Sequence, residues 1–216
     1  MKYSAVIFDL DGTLLNTLED LMDAVNYALT QYDYPARTLE EIRRFVGNGA
    51  RRLIEHALPK GTANPKFEDV LSAFRSYYTA HCENKTHAYD GVLELMHTLK
   101  ADGCKLAIVS NKPDSAVKEL NRTYFSNYVQ VAIGEKEGVL RKPAPDMVEH
   151  ALSELNTSKK ETVYIGDSDV DIQTAANSGL DCISVSWGFR DAEFLRQCGA
   201  SVIADTPQQV YERIRG

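Results

Sequence analysis

Apolar residues are spaced in two different ways along this chain. A continuous apolar run at residues 5–8 predicts a strand that is buried on both faces of a parallel sheet. Beyond Leu15 the apolar positions recur every three or four residues, which predicts an amphipathic helix. Pro35 ends this pattern, and Thr38 followed by Glu41 has the spacing of a capping box at the start of a second helix. The chain therefore changes from strand to helix soon after it begins.

Helical periodicity also covers residues 50–58 and 67–82, and residues 16–84 contain no convincing strand pattern. From Gly91 onwards helices and strands alternate. The predicted helices cover residues 92–101, 114–124, 146–155 and 170–178. The predicted strands cover residues 105–110, 129–133, 162–167 and 182–185, and a short strand and helix follow. Such alternation predicts a parallel sheet covered by helices. The predicted fold class is α/β, with a Rossmann-like parallel sheet core and an inserted α-helical module.

The first predicted strand ends on two acidic residues. Asp9 and Asp11 are two positions apart, so their side chains share one side of an extended chain and can approach one point. Two carboxylates this close repel each other unless a cation lies between them or one of them is protonated. Gly12 allows a sharp exit from the strand, and with Thr13 it is suited to bind an anion. The alternative is an ordinary Asp-rich turn, because Asp-Gly is a common turn dipeptide.

Polar residues also follow two later strands and occupy one proline-stiffened loop. They are Ser110, Asn111, Lys142, Asp167, Asp169 and Asp171. Each has an ordinary interpretation by itself, as a helix cap, a solvated lysine or an acid at a helix N-terminus. Ligands of parallel α/β sheets bind beyond the carboxyl ends of the strands, so the joint occurrence of these residues favours one site.

Phosphoryl transfer assisted by one Mg²⁺ is the chemistry that suits this set. Asp9, Asp11 and Asp167 can supply the oxygen ligands that a hard cation prefers. Ser110 and Lys142 can hold the remaining phosphate oxygens. An aspartate can then act as the nucleophile and form an aspartyl phosphate.

Composition narrows the classes of partner. The net charge of −7 over 216 residues, with no basic stripe, argues against nucleic acid. No apolar run approaches the roughly 18 residues that span a bilayer, and the N-terminus lacks the features of a signal peptide. We therefore expect a cytoplasmic protein with no membrane partner. The four cysteines form no C-x-x-C pair, which argues against zinc or redox chemistry.

Four short motifs, taken in order, resemble those of the haloacid dehalogenase superfamily. They are Asp9-Leu10-Asp11-Gly12-Thr13, Ser110-Asn111, Lys142-Pro143-Ala144-Pro145, and Gly166-Asp167-Ser168 with Asp171. The resemblance extends over essentially the whole chain. The helical insertion is similar to the cap of the phosphoglycolate phosphatase-like branch, and Val46-Gly47-Asn48-Gly49-Ala50 resembles a segment of that cap. The resemblance implies a catalytic core in residues 1–15 and 85–216 and a helical cap in residues 16–84.

The resemblance also implies catalytic roles. Asp9 would attack phosphorus, and Asp11 would protonate the leaving alcohol and later deprotonate the hydrolytic water. Ser110 and Lys142 would bind the phosphoryl group, and Lys142 would also steady the charge of Asp9. The implied Mg²⁺ ligands are the Asp9 carboxylate, the Asp11 backbone carbonyl and Asp167. Residues expected to support these ligands are Asp171 and Ser168.

Substrate contacts are expected from both parts of the chain. In the core they are Gly12, Thr13, Ser110, Asn111 and Lys142. In the cap they are Gly47, Asn48, Gly49 and Arg51, although an arginine at a helix start is usually solvated. One departure from the family pattern is Asn16, which stands where many relatives carry a second acidic residue.

The predicted function is that of a Mg²⁺-dependent phosphatase that hydrolyses a small phosphomonoester through an aspartyl phosphate, as phosphoglycolate phosphatases do. A pyrophosphatase, a nucleotidase or a sugar phosphomutase of the same fold is an alternative. A non-catalytic regulatory or binding module is the alternative from a different class. The expected partner is a small phosphorylated metabolite, and a monomer and a homodimer both stay open.

Overall fold

The computed structural model describes residues 1–216 and contains a six-stranded sheet. Its strands are β1 (Ala5–Phe8), β2 (Lys105–Pro113), β3 (Val131–Glu135), β4 (Thr162–Gly166), β5 (Asp181–Val185) and β6 (Ile203–Ala204). The spatial order is β3-β2-β1-β4-β5-β6, and every pair of neighbours is parallel. The central strand β1 is buried along its whole length, as its continuous apolar run predicts. The predicted α/β class and the parallel sheet are therefore confirmed.

The helices follow the predicted alternation. They are α1 (Leu18–Thr30), α2 (Leu39–Phe45), α3 (Gly49–Ala57), α4 (Phe67–His81), α5 (Val92–Ala101), α6 (Asp114–Leu120), α7 (Asp146–Leu155), α8 (Asp169–Ser178), α9 (Ala192–Gln197) and α10 (Pro207–Arg215). Short 3₁₀ turns lie at Gly61–Ala63 and Lys159–Glu161. The predicted capping box at the start of α2 is confirmed, because Thr38 and Glu41 exchange side-chain and backbone hydrogen bonds.

Several predicted boundaries shift by one to three residues, among them the strand predicted over residues 129–133, which is Val131–Glu135. The helix predicted over residues 114–124 ends as an α-helix at Leu120 and continues as a π-helical turn, Asn121–Phe125. Phe125 is fully buried at the end of this wider turn. Strand β2 also extends to Pro113 rather than stopping at Ser110.

The chain divides into two compact units. One consists of Met1–Leu15 with Ala88–Gly216, and the other is Asn16–His87. The connecting segments contain the short strands Leu15–Asn16 and His87–Ala88, which pair as a two-stranded sheet. The assignment of a cap to residues 16–84 stays a prediction.

In the first unit, alternate residues of the sheet enter two separate hydrophobic clusters. Val6 and Phe8 belong to one cluster, together with buried residues of α5, α6 and α10. Ala5 and Ile7 belong to the other, with buried residues of α7 and α8. Side chains of a strand point alternately to its two faces, so β1 contributes to both layers of the core. The helices on both faces hold the sheet in place and leave its carboxyl edge for loops.

The second unit consists of α1 to α4, whose apolar faces supply a core of their own that includes Val25, Ile54 and Phe74. A buried carboxylate ties its last residues to α1. Asp20 accepts hydrogen bonds from the backbone amides of Lys85 and Thr86 and from the Thr86 hydroxyl. None of the helices in the whole chain has the length and apolar character required to cross a membrane.

Candidate active site

The carboxyl ends of three neighbouring strands meet at one edge of the sheet. Strand β1 lies between β2 and β4, and the Asp9 amide donates to the Ile165 carbonyl oxygen at 2.8 Å, which extends the β1–β4 pairing by one residue. Asp9 and Asp167 directly follow β1 and β4, Ser110 lies within the last residues of β2, and all three are buried. Parallel pairing therefore brings together side chains that are far apart in the sequence.

Three carboxylates form the acidic centre of this edge. Asp9, Asp167 and Asp171 each offer an oxygen, and these oxygens all lie within 4.8 Å of one another. The Lys142 ammonium lies 2.8 Å from Asp9 Oδ1 and 2.8 Å from Asp171 Oδ1. It also donates to the Tyr164 hydroxyl at 3.0 Å. The acidic centre thus contains three carboxyl groups, two of which contact the buried ammonium of Lys142.

Burial and mutual repulsion decide the protonation of this centre. Burial raises the pKa of Asp9 well above its ordinary value and the Asp171 charge adds to this, whereas Lys142 opposes it. Burial alone would lower the pKa of Lys142, but Asp171 and Asp9 outweigh it and raise that pKa well above the usual range. Burial, followed by Asp171, raises the pKa of Asp167 to about 7. The pKa values of Asp9 and Asp167 are therefore both raised although a buried lysine lies in the centre.

The Asp167 carboxylate is hydrogen-bonded to one backbone amide and one hydroxyl and lies close to the backbone of Gly12. The Phe189 amide donates to Asp167 Oδ2 at 2.7 Å, and the Thr13 hydroxyl donates to Oδ1 at 3.2 Å. Gly12 has a φ of +85°, and a Cβ there would lie 2.3 Å from Asp167 Oδ2. Only glycine allows both this left-handed conformation and this close approach. Thr13, predicted to contact substrate, thus donates its hydroxyl to the acidic centre.

The donors fit a magnesium ion. Carboxylate oxygens are the ligands that a hard divalent cation prefers, and buried carboxylates are stabilised when a cation compensates their charge. Asp9 and Asp167 belong to the predicted ligand set, and the structure adds the Asp171 carboxylate to their surroundings. Asp171 Oδ1 already receives Lys142 and Tyr164. Its Oδ2 receives the amide and hydroxyl of Ser168 at 3.1 and 2.6 Å. This network suits the supporting role predicted for Asp171 and Ser168.

Of the predicted phosphate-binding residues, Lys142 belongs to the acidic centre, and Asn111 is hydrogen-bonded to its backbone. Ser110 and Lys142 are each 2% exposed. Asn111 Nδ2 donates to the Lys142 carbonyl oxygen at 3.0 Å and so links β2 to the proline-rich loop. The Lys142–Pro143 peptide bond in that loop is cis. Asn177 Nδ2 also donates to the Pro143 carbonyl oxygen at 2.8 Å, which fixes the loop against α8.

Asp11 has a different partner from Asp9. Its Oδ1 lies 2.7 Å from the ammonium of Lys112, whose side chain is 2% exposed, while the Asp11 side chain is 16% exposed. The two acids of the first motif thus contact two different lysines.

Sequence reasoning missed Lys112, Tyr164 and the Phe189 amide. Lys112 directly follows Ser110 and Asn111, and that position next to a motif is a usable signal. Tyr164 lies inside an apolar strand, where a single hydroxyl marks a buried polar contact only weakly. A backbone amide such as that of Phe189 leaves no signal, because every non-proline residue carries one.

The predicted substrate contacts of the second unit lie at the junction of α2 and α3. Gly47 and Gly49 have positive φ angles of 125° and 78°, and α3 begins at Gly49. Asn48 occupies the N-cap position without a side-chain capping bond. Arg51 pairs with Glu68 at 2.6 Å. The role of these residues in substrate binding stays a prediction.

The protein thus has an α/β fold with a parallel sheet and a buried acidic centre at the carboxyl edge of that sheet. A family model described as haloacid dehalogenase-like hydrolase matches residues 6–185. The chain belongs to this family of hydrolases, which confirms the resemblance found in the sequence.

Two relatives and one solved structure illustrate the similarity. The chain is 35% identical over 190 residues to a phosphoglycolate phosphatase of Rhodobacter capsulatus, covering 86% of this chain and 85% of that protein. It is 34% identical over 200 residues to the pyrophosphatase PpaX of Listeria monocytogenes, covering 91% and 89%. A crystal structure from Lactobacillus delbrueckii subsp. bulgaricus, named as a candidate phosphoglycolate phosphatase, is 41% identical with a TM-score of 0.95 and covers 99% of each chain.

Proposed function

We propose that this hydrolase is a Mg²⁺-dependent phosphatase that cleaves a small phosphomonoester through an aspartyl phosphate on Asp9. The observation that carries this proposal is the buried Asp9 carboxylate, held by Lys142 beside Asp167 and Asp171. Relatives that are named phosphoglycolate phosphatase or pyrophosphatase support the reaction class.

Asp9 is the proposed nucleophile because its carboxylate is fixed in orientation. Its Oδ1 accepts the Leu10 amide at 2.7 Å and the Lys142 ammonium at 2.8 Å. A carboxylate held in this way approaches phosphorus without first losing rotational freedom. Lys142 and Ser110 bind the phosphoryl oxygens and stabilise the charge that develops on them.

The proposed reaction has two steps. In the first, an Asp9 oxygen forms a bond to phosphorus while the bond from phosphorus to the alcohol oxygen breaks, and the Asp11 carboxylic acid transfers its proton to that oxygen. In the second, a water oxygen bonds to phosphorus, the Asp9–phosphorus bond breaks, and Asp11 takes the proton of the water. Mg²⁺, held by Asp9, Asp167 and the Asp11 carbonyl, supplies positive charge next to the phosphoryl group when it is bound.

Phosphoglycolate is the proposed substrate. Several relatives of 28–35% identity carry that activity in their names, and the family branch predicted from the sequence is the same. Pyrophosphate is the second candidate, because the pyrophosphatase of Listeria is as similar as these relatives. In both cases residues 16–84 would serve as the cap, with Gly47, Asn48, Gly49 and Arg51 near the substrate. We propose a cytoplasmic location for the enzyme.

A phosphatase panel tests the function. Purified enzyme with Mg²⁺ is assayed on 2-phosphoglycolate, pyrophosphate, nucleoside monophosphates, hexose phosphates and p-nitrophenyl phosphate. We expect turnover that requires Mg²⁺, with the highest kcat/KM on 2-phosphoglycolate, and no turnover by Asp9→Asn. Absence of wild-type turnover, or full turnover by Asp9→Asn, would contradict the phosphatase mechanism. Equal rates on all substrates would contradict the phosphoglycolate assignment alone.

A further inference from the structure

We propose that Lys112 is a positioning residue that orients the Asp11 carboxyl group, which gives a proton to the leaving oxygen in the first step and takes one from water in the second. The inference rests on the proposed function, because it concerns the acid of that reaction. Lys112 does not belong to the four motifs found in the sequence, and its ammonium lies 2.7 Å from Asp11 Oδ1.

The contact between Lys112 and Asp11 is short and enclosed. The Lys112 ammonium lies 2.7 Å from Asp11 Oδ1, and the Lys112 side chain is 2% exposed. An ammonium removed from water to this extent is stable only when hydrogen-bonded to an opposite charge. Its position is therefore coupled to that of Asp11 and not to solvent.

The local course of strand β2 places Lys112 where it can reach Asp11. The register between β2 and β3 shifts between Val109 and Pro113. Such irregularities bend a strand and change the direction of its side chains, and they are frequent beside active sites. The Lys112 amide lies 3.3 Å from the Ser110 hydroxyl oxygen, to which it donates. The irregular part of β2 thus carries both Lys112 and Ser110, which is a proposed phosphate-binding residue.

Local hydrogen bonds fix the backbone of Asp11, and Lys112 contacts its side chain. The Gly12 amide donates to the Leu15 carbonyl oxygen at 2.9 Å, and Asp11 forms an isolated β-bridge with Leu15. These contacts fix where the side chain starts, and the carboxylate can still rotate about its side-chain bonds. The Asp11 side chain is 16% exposed, so burial alone does not fix it. The bond to Lys112 restricts that rotation.

Each of the two acids in the first motif is paired with a different lysine. Lys142 contacts Asp9, whereas Lys112 contacts Asp11. The nucleophile and the acid are therefore held separately, although only one residue lies between them in the sequence. Lys112 forms no covalent bond in the reaction and neither gains nor loses a proton. Its effect passes through the orientation of Asp11.

The consequence is a dependence on the leaving group. An alkoxide such as that of glycolate is a strong base and must be protonated as it leaves, whereas p-nitrophenolate is a weak base and leaves without a proton. Misplacing the acid should therefore slow alkyl esters selectively. A merely structural role for Lys112 would slow both kinds of ester equally.

The test compares Lys112→Met with wild type on 2-phosphoglycolate and p-nitrophenyl phosphate. The ratio kcat/KM covers the steps up to release of the alcohol, so it isolates the first proton transfer. General acid catalysis contributes about 10²–10⁴-fold, so we expect a loss of about 10–100-fold for the alkyl ester and below about threefold for the aryl ester. Lys118→Met is the matched control, because it removes a solvent-exposed pair with Asp114 outside the site, and it should retain both activities.

Additivity gives a second readout. Asp11→Asn should show the same selective loss, and the double variant Lys112→Met with Asp11→Asn should be no slower than Asp11→Asn alone. Equal losses on both esters, no loss on either, or additive losses in the double variant would overturn the inference. If Lys112→Met does not fold, Lys112→Gln is measured in its place. Wild type inactive on both esters would contradict the proposed function itself.

Discussion

The hydroxyl of Tyr164 offers a quantitative test of the buried network around Lys142. Tyr164 is fully buried, and its hydroxyl accepts a hydrogen bond from Lys142 at 3.0 Å and donates one to Asp171 at 3.1 Å. The substitution Tyr164→Phe removes one oxygen atom and keeps the ring that fills the core. A hydrogen bond to a charged group contributes about 1.5–3 kcal/mol to stability. Lys142 and Asp171 still contact each other in the variant, so we expect a loss of about 2–3 kcal/mol in the free energy of unfolding, less than the sum for two such bonds.

The assay is thermal unfolding followed by circular dichroism, with Tyr211→Phe as the matched control. The Tyr211 hydroxyl donates to Asp102 at 2.8 Å in a solvent-exposed position of the same unit. One kcal/mol shifts Tm by about 2–4 °C in a chain of this size, so Tyr164→Phe should lower Tm by about 4–12 °C. The control should lower it by less than about 2 °C, because water replaces the exposed bond. Equal changes in the two variants would refute the reasoning that burial makes the network valuable.

Two further predictions concern stability, measured by chemical denaturation. Gly12→Ala should lose more stability than Gly103→Ala, although both glycines have a φ of +85°, because a Cβ at Gly12 meets Asp167 at 2.3 Å and one at Gly103 meets nothing within 4 Å. We expect about 1 kcal/mol for the backbone strain alone and about 1–3 kcal/mol more for the overlap, and equal losses would contradict this account. Asp20→Asn should cost about 2–3 kcal/mol, because a buried amide cannot accept all the bonds given to the carboxylate. Asp23→Asn, which removes a part-exposed contact with a lysine at 2.7 Å, should cost less than about 1 kcal/mol, and a larger loss than that of Asp20→Asn would refute the argument.

Elements with a strong periodic signal could be predicted from the sequence. The apolar run of β1 and the three-to-four-residue spacing of α1 each correspond to an element of the structure. The capping box of Thr38 was equally readable, because its signal is local. The polar residues after β1 and β4 could be recognised as neighbours, since parallel strands bring their carboxyl ends to one edge of the sheet.

Other features depend on packing that the sequence does not express. The sequence does not distinguish a buried lysine from a solvated one. The contact between Lys112 and Asp11 is therefore visible only in the folded structure, where β2 lies beside the first motif. The π-helical turn Asn121–Phe125, which ends on a fully buried ring, has no periodic signal of its own in the sequence. The hydrogen bond from the Phe189 amide to Asp167 depends on the backbone alone.

The central claim is that phosphorus becomes bonded to Asp9, and chemical trapping tests it most directly. Asp11→Asn is mixed with p-nitrophenyl phosphate and Mg²⁺, since this ester leaves without a proton while the second step lacks its base. The mixture is quenched in acid, reduced with borohydride and digested for peptide mass spectrometry. We predict reduction of the carboxyl group to an alcohol at residue 9 and nowhere else. Reduction at a different residue, or turnover of the ester with no reduced residue at position 9, would contradict the account.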